Sequence, residues 1–268
     1  MSALAHGAGL RRVLLVEDDP SLQRFVSMVL EDLAVELTVC GDVGSALLAL
    51  RRSAFELLIT DLMLPDRSGL DLLAELQALP ALRGSARLVA FSAGLQPEVR
   101  SRLQTLDVER MLFKPCSVGE LEACVLEILG PVPRASEPPP LQPYRPNDAA
   151  PPPAPQADQE AILRNFGGDA ALYRGFRAAS LEQFAQDLQE GERACSARDA
   201  PALRRLAHSL KSVLLILGLD SSSDLANRLE RQLEQALNAE AAWPAEAEGL
   251  WQELRLQLRA IRAETPEP

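Results

Sequence analysis

A proline-rich stretch in the middle of the chain limits what this sequence can fold into more than any other feature. Of the 20 prolines, 11 fall in the 25 residues from Pro131 to Pro155. Proline lacks the backbone N–H that helix interiors and central strands need, and dense proline favours an extended polyproline conformation. We therefore predict a linker at residues 131–155 between two domains, residues 10–130 and 156–264, after a flexible start at residues 1–9.

In the first half, short apolar runs alternate with amphipathic helical stretches. This alternation is typical of βαβ units and a parallel sheet. The predicted strands are 12–17, 36–40, 57–60, 87–91 and 108–113, and the predicted helices are 21–33, 43–52, 69–79, 97–105 and 118–129. We therefore predict an α/β domain with a doubly wound, flavodoxin-like (βα)5 sheet, in which ligands bind at the carboxyl ends of the strands.

In the second half the strand pattern disappears, and Leu and Ala recur at three- and four-residue spacing. This spacing places the apolar side chains on one face of each helix and predicts an all-α domain, a four-helix-bundle type of fold. The helices are expected at 159–165, 169–196, 199–217, 221–239 and 245–262.

Composition excludes several classes of protein. The net charge of −11, without a basic tract, disfavours nucleic-acid binding. Apolar stretches such as Val213–Leu217 are far shorter than the roughly 20 residues that span a membrane, so we expect no membrane insertion. No long apolar segment follows the first residues, and we expect a cytoplasmic chain without a signal peptide. The cysteines lack a CxxC pairing and are predicted to be free thiols, without zinc or disulfides.

Carboxylates follow two of the predicted strands directly. Glu17, Asp18 and Asp19 end the first strand, and Asp61 ends the third. Carboxylates that converge at one edge of a sheet repel each other unless a hard cation neutralises them, and Mg²⁺ prefers such oxygen ligands. The sequence therefore predicts a Mg²⁺ site here. Asp19 precedes Pro20 and has two open interpretations, a helix cap or a further ligand.

The fourth and fifth strands end with a hydroxyl and an ammonium, Ser92 and Lys114. Together with Mg²⁺ these groups can neutralise the oxygens of a phosphoryl group on an attacking carboxylate. The agreement at four strand ends resembles the receiver domain of two-component response regulators, over nearly all of residues 10–130. The resemblance implies that Ser92 and Lys114 contact the phosphoryl oxygens.

By the same resemblance, Asp61 is the phosphate-accepting nucleophile. Glu17 and Asp18 hold Mg²⁺ beside Asp61, and the backbone carbonyl of Met63 completes the metal shell. One position departs from the family. Met111 stands where receivers usually have an aromatic switch residue, three positions before the lysine, and this departure puts the coupling to an output in doubt.

The second domain has one histidine in a defined setting. On a helical projection the leucines of the predicted helix 199–217 form one stripe, and His208 lies about 160° away from it at 100° per residue. We therefore predict that His208 is exposed, with Lys211 and Leu215 on its face. A neutral imidazole in such a position can attack a phosphoryl group. No second histidine or cysteine adjoins it, so metal binding is not expected.

The stretch from Ala207 to Ser212, AHSLKS, with Gly218 ten residues after His208, resembles a histidine-containing phosphotransfer (HPt) domain. The resemblance spans about residues 156–264 and implies that His208 carries a phosphoryl group. Ser212 stands where the family usually has glycine. The chain has 25 arginines and two lysines, and both lysines, Lys114 and Lys211, fall at the motif positions. A compact ammonium fits a phosphoryl oxygen as a point charge.

These observations favour a phosphorelay signalling protein in which phosphate moves between Asp61 and His208, within the chain or through partners. No P-loop appears, so we expect the phosphate to come from a sensor histidine kinase, another receiver or HPt protein, or a small phosphodonor. In the alternative, the receiver is a phosphorylation-switched module that controls access to the helical domain. A Mg²⁺-dependent phosphohydrolase is disfavoured, because Met63 stands where a second catalytic acid is needed.

The linker is long enough for the two domains to meet. We expect intramolecular transfer, with Leu215 and its neighbours docking on the first receiver helix near Leu22 and Phe25. The tether would give a high effective concentration, so such transfer would be independent of protein concentration.

Overall fold

The computed structural model describes residues 10–92, 97–130 and 156–263. The predicted start at 1–9 and the predicted linker at 131–155 lie outside these residues. Over the described residues, the first domain is α/β and the second is helical, so the predicted fold classes are confirmed.

The first domain contains a five-stranded parallel sheet in the order β2-β1-β3-β4-β5. Its strands are β1 (Arg11–Val16), β2 (Val35–Cys40), β3 (Leu57–Asp61), β4 (Arg87–Ser92) and β5 (Val108–Phe113). Its helices are α1 (Pro20–Glu31), α2 (Val43–Arg52), α3 (Gly69–Ala78), a short α4 (Pro80–Arg83), α5 (Pro97–Thr105) and α6 (Val118–Leu129). The order reverses on the two sides of β1, which is the doubly wound arrangement predicted from the sequence.

Alternation along the strands builds a core on each face of the sheet. Val13 and Leu15 of β1 belong to an apolar cluster with α1 and α6, whereas Leu14 and Val16 belong to another with α2, α3 and α5. All four side chains are fully buried. Both faces of the sheet are therefore covered, and only its edges and the ends of its strands are available to bind ligands.

The connection from β3 to α3 holds the end of β3 tightly. A Cβ on Gly69 would lie 1.9 Å from the backbone oxygen of Asp61, so no larger residue fits where α3 begins. The Gly69 N–H donates to the carbonyl of Leu62 at 3.1 Å, and Ser68 caps α3 by accepting from the N–H of Leu70. The backbone at Asp61 is thus positioned by packing as well as by the sheet.

The second domain consists of five helices in the described residues: α7 (Gln156–Phe166), α8 (Ala170–Ala197), α9 (Ala200–Ile216), α10 (Asp220–Asn238) and α11 (Ala247–Ala263). Asp169 and Asp199 cap α8 and α9 through their carboxylates, as their positions before apolar periodic segments predict. Trp251 of α11 is fully buried in this domain. No helix among the described residues is both long and apolar enough to cross a membrane.

The two domains pack against each other through α1 and α8. The Phe25 ring lies edge-on to Phe176, with ring centroids 5.5 Å apart, and to Phe166 of α7 at 6.0 Å. The apolar cluster below the α1 face of the sheet continues through these rings into the core of the helical domain. The helical domain docks on α1 as predicted, but the prediction that Leu215 makes this contact is wrong. Leu215 lines a small cavity beside Lys114 and Pro115. The rings that cover Phe25 come from α7 and α8.

The cysteines are all free, as expected, and three of the four are buried. Burial raises the pKa of Cys116 to about 12 and that of Cys124 to about 11. These thiols are structural apolar residues and are poor nucleophiles.

Candidate functional site

Three carboxylates meet at the carboxyl edge of the sheet. Glu17 and Asp18 follow β1, and Asp61 ends β3, the neighbouring strand. One carboxylate oxygen from each lies within 4.8 Å of the others. Parallel strands all end at the same edge, which is why acids far apart in sequence come together here.

Asp61 is almost fully buried, and both of its carboxylate oxygens are held. Oδ2 accepts from Lys114 Nζ at 2.8 Å, and Oδ1 accepts from the backbone N–H of Met63 at 3.1 Å. The same ammonium lies 2.5 Å from Glu17 and 4.9 Å from the centre of the Phe91 ring. Lys114 is therefore the fixed cation of this site, placed at the end of β5 between two carboxylates.

One ammonium does not neutralise three crowded acids, of which Glu17 and Asp61 are buried and Asp18 is half-buried. Burial and the charge of Asp61 together raise the pKa of Asp18 to about 6, although Lys114 opposes both. Burial likewise raises the pKa of Glu17 above its ordinary value, although Lys114 lies beside it. Crowded carboxylates that resist ionisation are the donor set that a divalent cation stabilises, so these residues fit Mg²⁺.

Asp19 is a helix cap in this structure. Its carboxylate accepts from the backbone N–H of Leu22 at 2.7 Å at the start of α1. Burial raises the pKa of Asp19, and the Ser209 side chain of the helical domain is among the groups that oppose this rise. Asp19 therefore lies near the helical domain, a position that the sequence did not suggest.

Ser92 and Met63 lie where the strand ends predict. Ser92 ends β4 and is 8% exposed, and both residues line a cavity that the helical domain also lines. The Met63 N–H contacts Asp61, and its carbonyl as a metal ligand stays a prediction. Met111 on β5 packs partly against the apolar cluster, while Phe113 is 46% exposed.

His208 is not exposed, contrary to the prediction from helical periodicity. Its relative exposure is 7%, although the opposite stripe is in the core, as expected, with Leu203, Leu206 and Leu210 all buried. Glu230 of α10 covers one side of the imidazole, and the receiver lies across the open side. The hydrophobic periodicity of one helix indicates which of its residues face the core of its own bundle. It does not indicate that a second domain covers the polar face.

Glu230 orients the imidazole. Its Oε1 lies 2.6 Å from His208 Nδ1, and its Oε2 accepts from Lys211 Nζ at 2.5 Å. Burial alone would raise the pKa of Glu230, but the hydrogen bond and charge of His208, with the charge of Lys211, lower it to about 2. The carboxylate is thus ionised and can only accept, so Nδ1 carries the proton and Nε2 keeps the lone pair in the neutral ring.

No pattern in the sequence assigns a role to Glu230. The available signal was its position after Leu229, almost three turns into a helix with a strong apolar stripe. Nothing in one sequence says which residue of α10 faces His208 of α9, since that depends on how the two helices pack.

Residues of both domains line a cavity of about 670 Å³. The receiver contributes Met63 and Ser92, among others, and the helical domain contributes Arg204, His208 and Lys211. His208 Nε2 is buried and has no hydrogen-bond partner among the described residues. His208 therefore lines the same cavity as the receiver loop that follows Asp61.

Comparison with known proteins identifies both domains. Residues 13–126 match the response regulator receiver domain, and residues 176–264 match the Hpt domain. The chain is a receiver domain fused to an Hpt domain, the two kinds of module that carry two-component phosphorelay signalling. Neither match is a kinase domain.

Several sensor proteins are similar over both domains. The virulence sensor protein BvgS of Bordetella pertussis is 27% identical over 259 residues, 94% of this chain and 20% of that protein. The sensor protein GacS of Pseudomonas syringae pv. syringae is 28% identical over 229 residues, 84% of this chain and 25% of that protein. This chain spans a quarter or less of the length of these relatives.

Other matches cover the receiver alone. The transcriptional activator protein PfeR of Pseudomonas aeruginosa is 37% identical over 112 residues, 42% of this chain and 35% of that protein. The crystal structure of the signal receiver domain of a putative Luxo repressor protein from Vibrio parahaemolyticus is 28% identical. It covers 45% of this chain and 90% of that one, with a TM-score of 0.42.

Proposed function

We propose that this protein passes a phosphoryl group between Asp61 and His208 in a phosphorelay. Asp61 receives the group on a carboxylate oxygen, and His208 receives or donates it through Nε2. One observation carries the proposal: His208, whose buried Nε2 has no hydrogen-bond partner among the described residues, lines one cavity with Met63 and Ser92 of the receiver.

Glu17, Asp18 and Asp61 would hold Mg²⁺, with the backbone carbonyl of Met63 as a further ligand. The bound ion would neutralise the negative charge of the carboxylates and of the phosphoryl oxygens. Lys114, already 2.8 Å from Asp61, supplies the second positive charge, and the hydroxyl of Ser92 can donate to a phosphoryl oxygen. These groups act on charge, which is what phosphoryl transfer requires of a protein.

Transfer from aspartyl phosphate to His208 exchanges one bond to phosphorus for another. The Nε2 lone pair of His208 forms a bond to phosphorus as the bond between phosphorus and the Asp61 oxygen breaks. The electron pair returns to the Asp61 carboxylate, which Lys114 stabilises. The proton on Nδ1 stays in its hydrogen bond with Glu230, whose negative charge offsets the positive charge that develops on the ring.

The proposal is tested by incubating the chain with acetyl phosphate and Mg²⁺ and separating base-labile aspartyl phosphate from acid-labile phosphohistidine. Wild type is expected to carry both, His208→Gln only the first, and Asp61→Asn neither. Asp66→Asn, an exposed acid of the same loop, is the matched control and retains labelling. Phosphohistidine at the wild-type level in Asp61→Asn would contradict the coupling of the two sites.

The alternative is a phosphorylation-switched module in which the receiver controls access to the helical domain. The burial of His208 beneath the receiver favours it. The same experiment separates the two functions, because a switch without transfer predicts aspartyl phosphate in wild type and no phosphohistidine derived from it. For either function, we propose sensor histidine kinases as partners, in line with the similarity to the sensor proteins BvgS and GacS. Other receiver or HPt proteins are further proposed partners.

A further inference from the structure

We propose that the receiver and the Hpt domain of this chain are each other's exclusive docking partner, and that this closed pair must open before either site exchanges phosphate with another protein. The inference rests on the proposed function for the identity of the exchanged group. The docking itself stands on contacts that are independent of that chemistry.

The apolar part of the contact is a close approach of two helices. The Phe25 ring is enclosed by Phe166 and Phe176, and all three side chains are at most 1% exposed. Where α8 passes α1, a Cβ on Gly175 would lie 2.9 Å from Met28 Cε. A small side chain at Gly175 would need the flexible end of Met28 to shift, and a leucine there adds more bulk to the contact between the two helices.

The polar part of the contact brings residues next to the two sites together. Ser209, the residue after His208, lowers the pKa of Asp19, the residue after the acid pair of the receiver. Lys114 and Pro115 of the receiver line one small cavity with Lys211 and Ser212 of α9. Residues beside the two sites therefore face each other across the contact.

Docking leaves no face of His208 open to a protein and places the loop after Asp61 against the helical domain. His208 is 7% exposed in the docked pair, and Met63 and Ser92 line one cavity with it. A partner must bring a phosphoryl group on a folded element, and a helix with its side chains is about 10 Å across. The cavity of about 670 Å³ between the domains has no room for a second domain, but it admits a small acyl phosphate. Small phosphodonors and protein partners should therefore respond differently to opening.

Two variants open the contact from opposite sides. Gly175→Leu adds bulk on α8, and Met28→Glu places a charge on α1 beside the aromatic rings. They lie in different domains, so a phenotype that they share cannot come from misfolding of one domain. The controls are Gly249→Leu, at a helical glycine with nothing within 4 Å, and Leu48→Glu, at a leucine of α2 that is 51% exposed.

The first measurement is the radius of gyration of the full chain by small-angle X-ray scattering. Docked domains form a more compact particle than separated ones, so both opening variants should raise the radius of gyration. The two controls should match wild type. A radius of gyration in wild type equal to that of the opening variants would overturn the docking.

The second measurement is transfer between molecules. His208→Gln chains are phosphorylated with acetyl phosphate, freed of donor and mixed with Asp61→Asn chains, with or without the opening variants in both. Transfer should be slow with the native contact and about tenfold faster when it is opened, while labelling of Asp61 by acetyl phosphate changes little. Fast transfer with the native contact would overturn the exclusivity. Absence of transfer in every mixture would overturn the proposed phosphotransfer, and the radius of gyration would still decide the docking.

Discussion

The two phosphoryl sites use carboxylates in opposite ways. At the receiver site, burial and neighbouring acids raise the pKa of Asp18 to about 6, and one lysine serves three acids. At the Hpt site, a single acid, Glu230, lies between His208 and Lys211, and these partners lower its pKa to about 2. The receiver site is deficient in positive charge, whereas the Hpt site is already paired.

This difference indicates how the proposed work is divided. The receiver site has the acids and the cation that act on phosphoryl charge, and it gains from each additional positive charge. At the Hpt site the imidazole of His208 is an oriented nucleophile, and the nearby Lys211 is already paired with Glu230. Perturbations of charge should therefore have large effects at the receiver, and perturbations of orientation should dominate at the Hpt domain.

The largest expected effect distinguishes the two lysines. Lys114→Met should lower phosphorylation of Asp61 by acetyl phosphate about a thousandfold, because a buried donor to the reacting carboxylate is lost. Lys211→Met, at a side chain that is 17% exposed, should leave Asp61 labelling within about threefold of wild type. Labelling rates at saturating Mg²⁺ give the comparison, and thermal melts report folding. Equal losses in both variants would remove the distinction.

Orientation is tested at Glu230. Glu230→Ala should slow transfer from Asp61 to His208 about a hundredfold, because the imidazole loses the acceptor that holds Nδ1–H. Glu230→Gln keeps a carbonyl oxygen for this hydrogen bond and should recover part of the rate. Nitrogen NMR of His208 should show the Nδ1–H tautomer in wild type and a mixture in Glu230→Ala. A loss of rate without any change in tautomer would argue for a purely structural role.

Stability should depend on pH with opposite signs at the two sites. Because the pKa of Glu230 falls from 4.5 to about 2, it contributes about 3 kcal/mol that is present above pH 4.5 and lost towards pH 2. Glu230→Gln should remove this dependence. Asp18, with its pKa raised from 3.8 to about 6, destabilises the metal-free protein as pH rises, so Asp18→Asn should be the more stable above pH 6. Urea denaturation in chelator across pH checks both signs.

The smallest effect concerns the metal. Asp18→Ala should raise the Mg²⁺ concentration for half-maximal labelling of Asp61 about tenfold, the consequence of about 1.4 kcal/mol in lost ligand binding. Asp66→Ala, in the exposed loop after β3, is the control and should not change it. An unaltered Mg²⁺ requirement in Asp18→Ala would exclude this carboxylate from the metal shell.

Much of the architecture follows from local patterns. The predicted first strand, 12–17, overlaps Arg11–Val16, and the predicted helix 199–217 overlaps Ala200–Ile216. The convergence of Glu17, Asp18 and Asp61 was also predictable, since the parallel topology brings the strand ends to one edge. Such features depend on periodicity and on neighbouring residues, and these can be read along one chain.

The predictions that failed concern contacts between surfaces from distant parts of the chain. The leucine stripe correctly placed His208 away from the core of its own bundle, yet the receiver covers it. Leu215 was expected on α1, but Phe166 and Phe176 surround Phe25. Which apolar residues meet across two domains depends on shape complementarity, to which sequence spacing contributes no information.

The sequence by itself determined the two folds, the strand-end acids, Lys114 and His208, because strand and helix periods and motif spacing are local properties. Only the tertiary structure decided that Glu230 holds the imidazole, that Phe166 and Phe176 enclose Phe25, and that His208 lines one cavity with residues of the receiver. These contacts join side chains far apart in sequence, and their partners are selected by how α9, α10 and the receiver pack together.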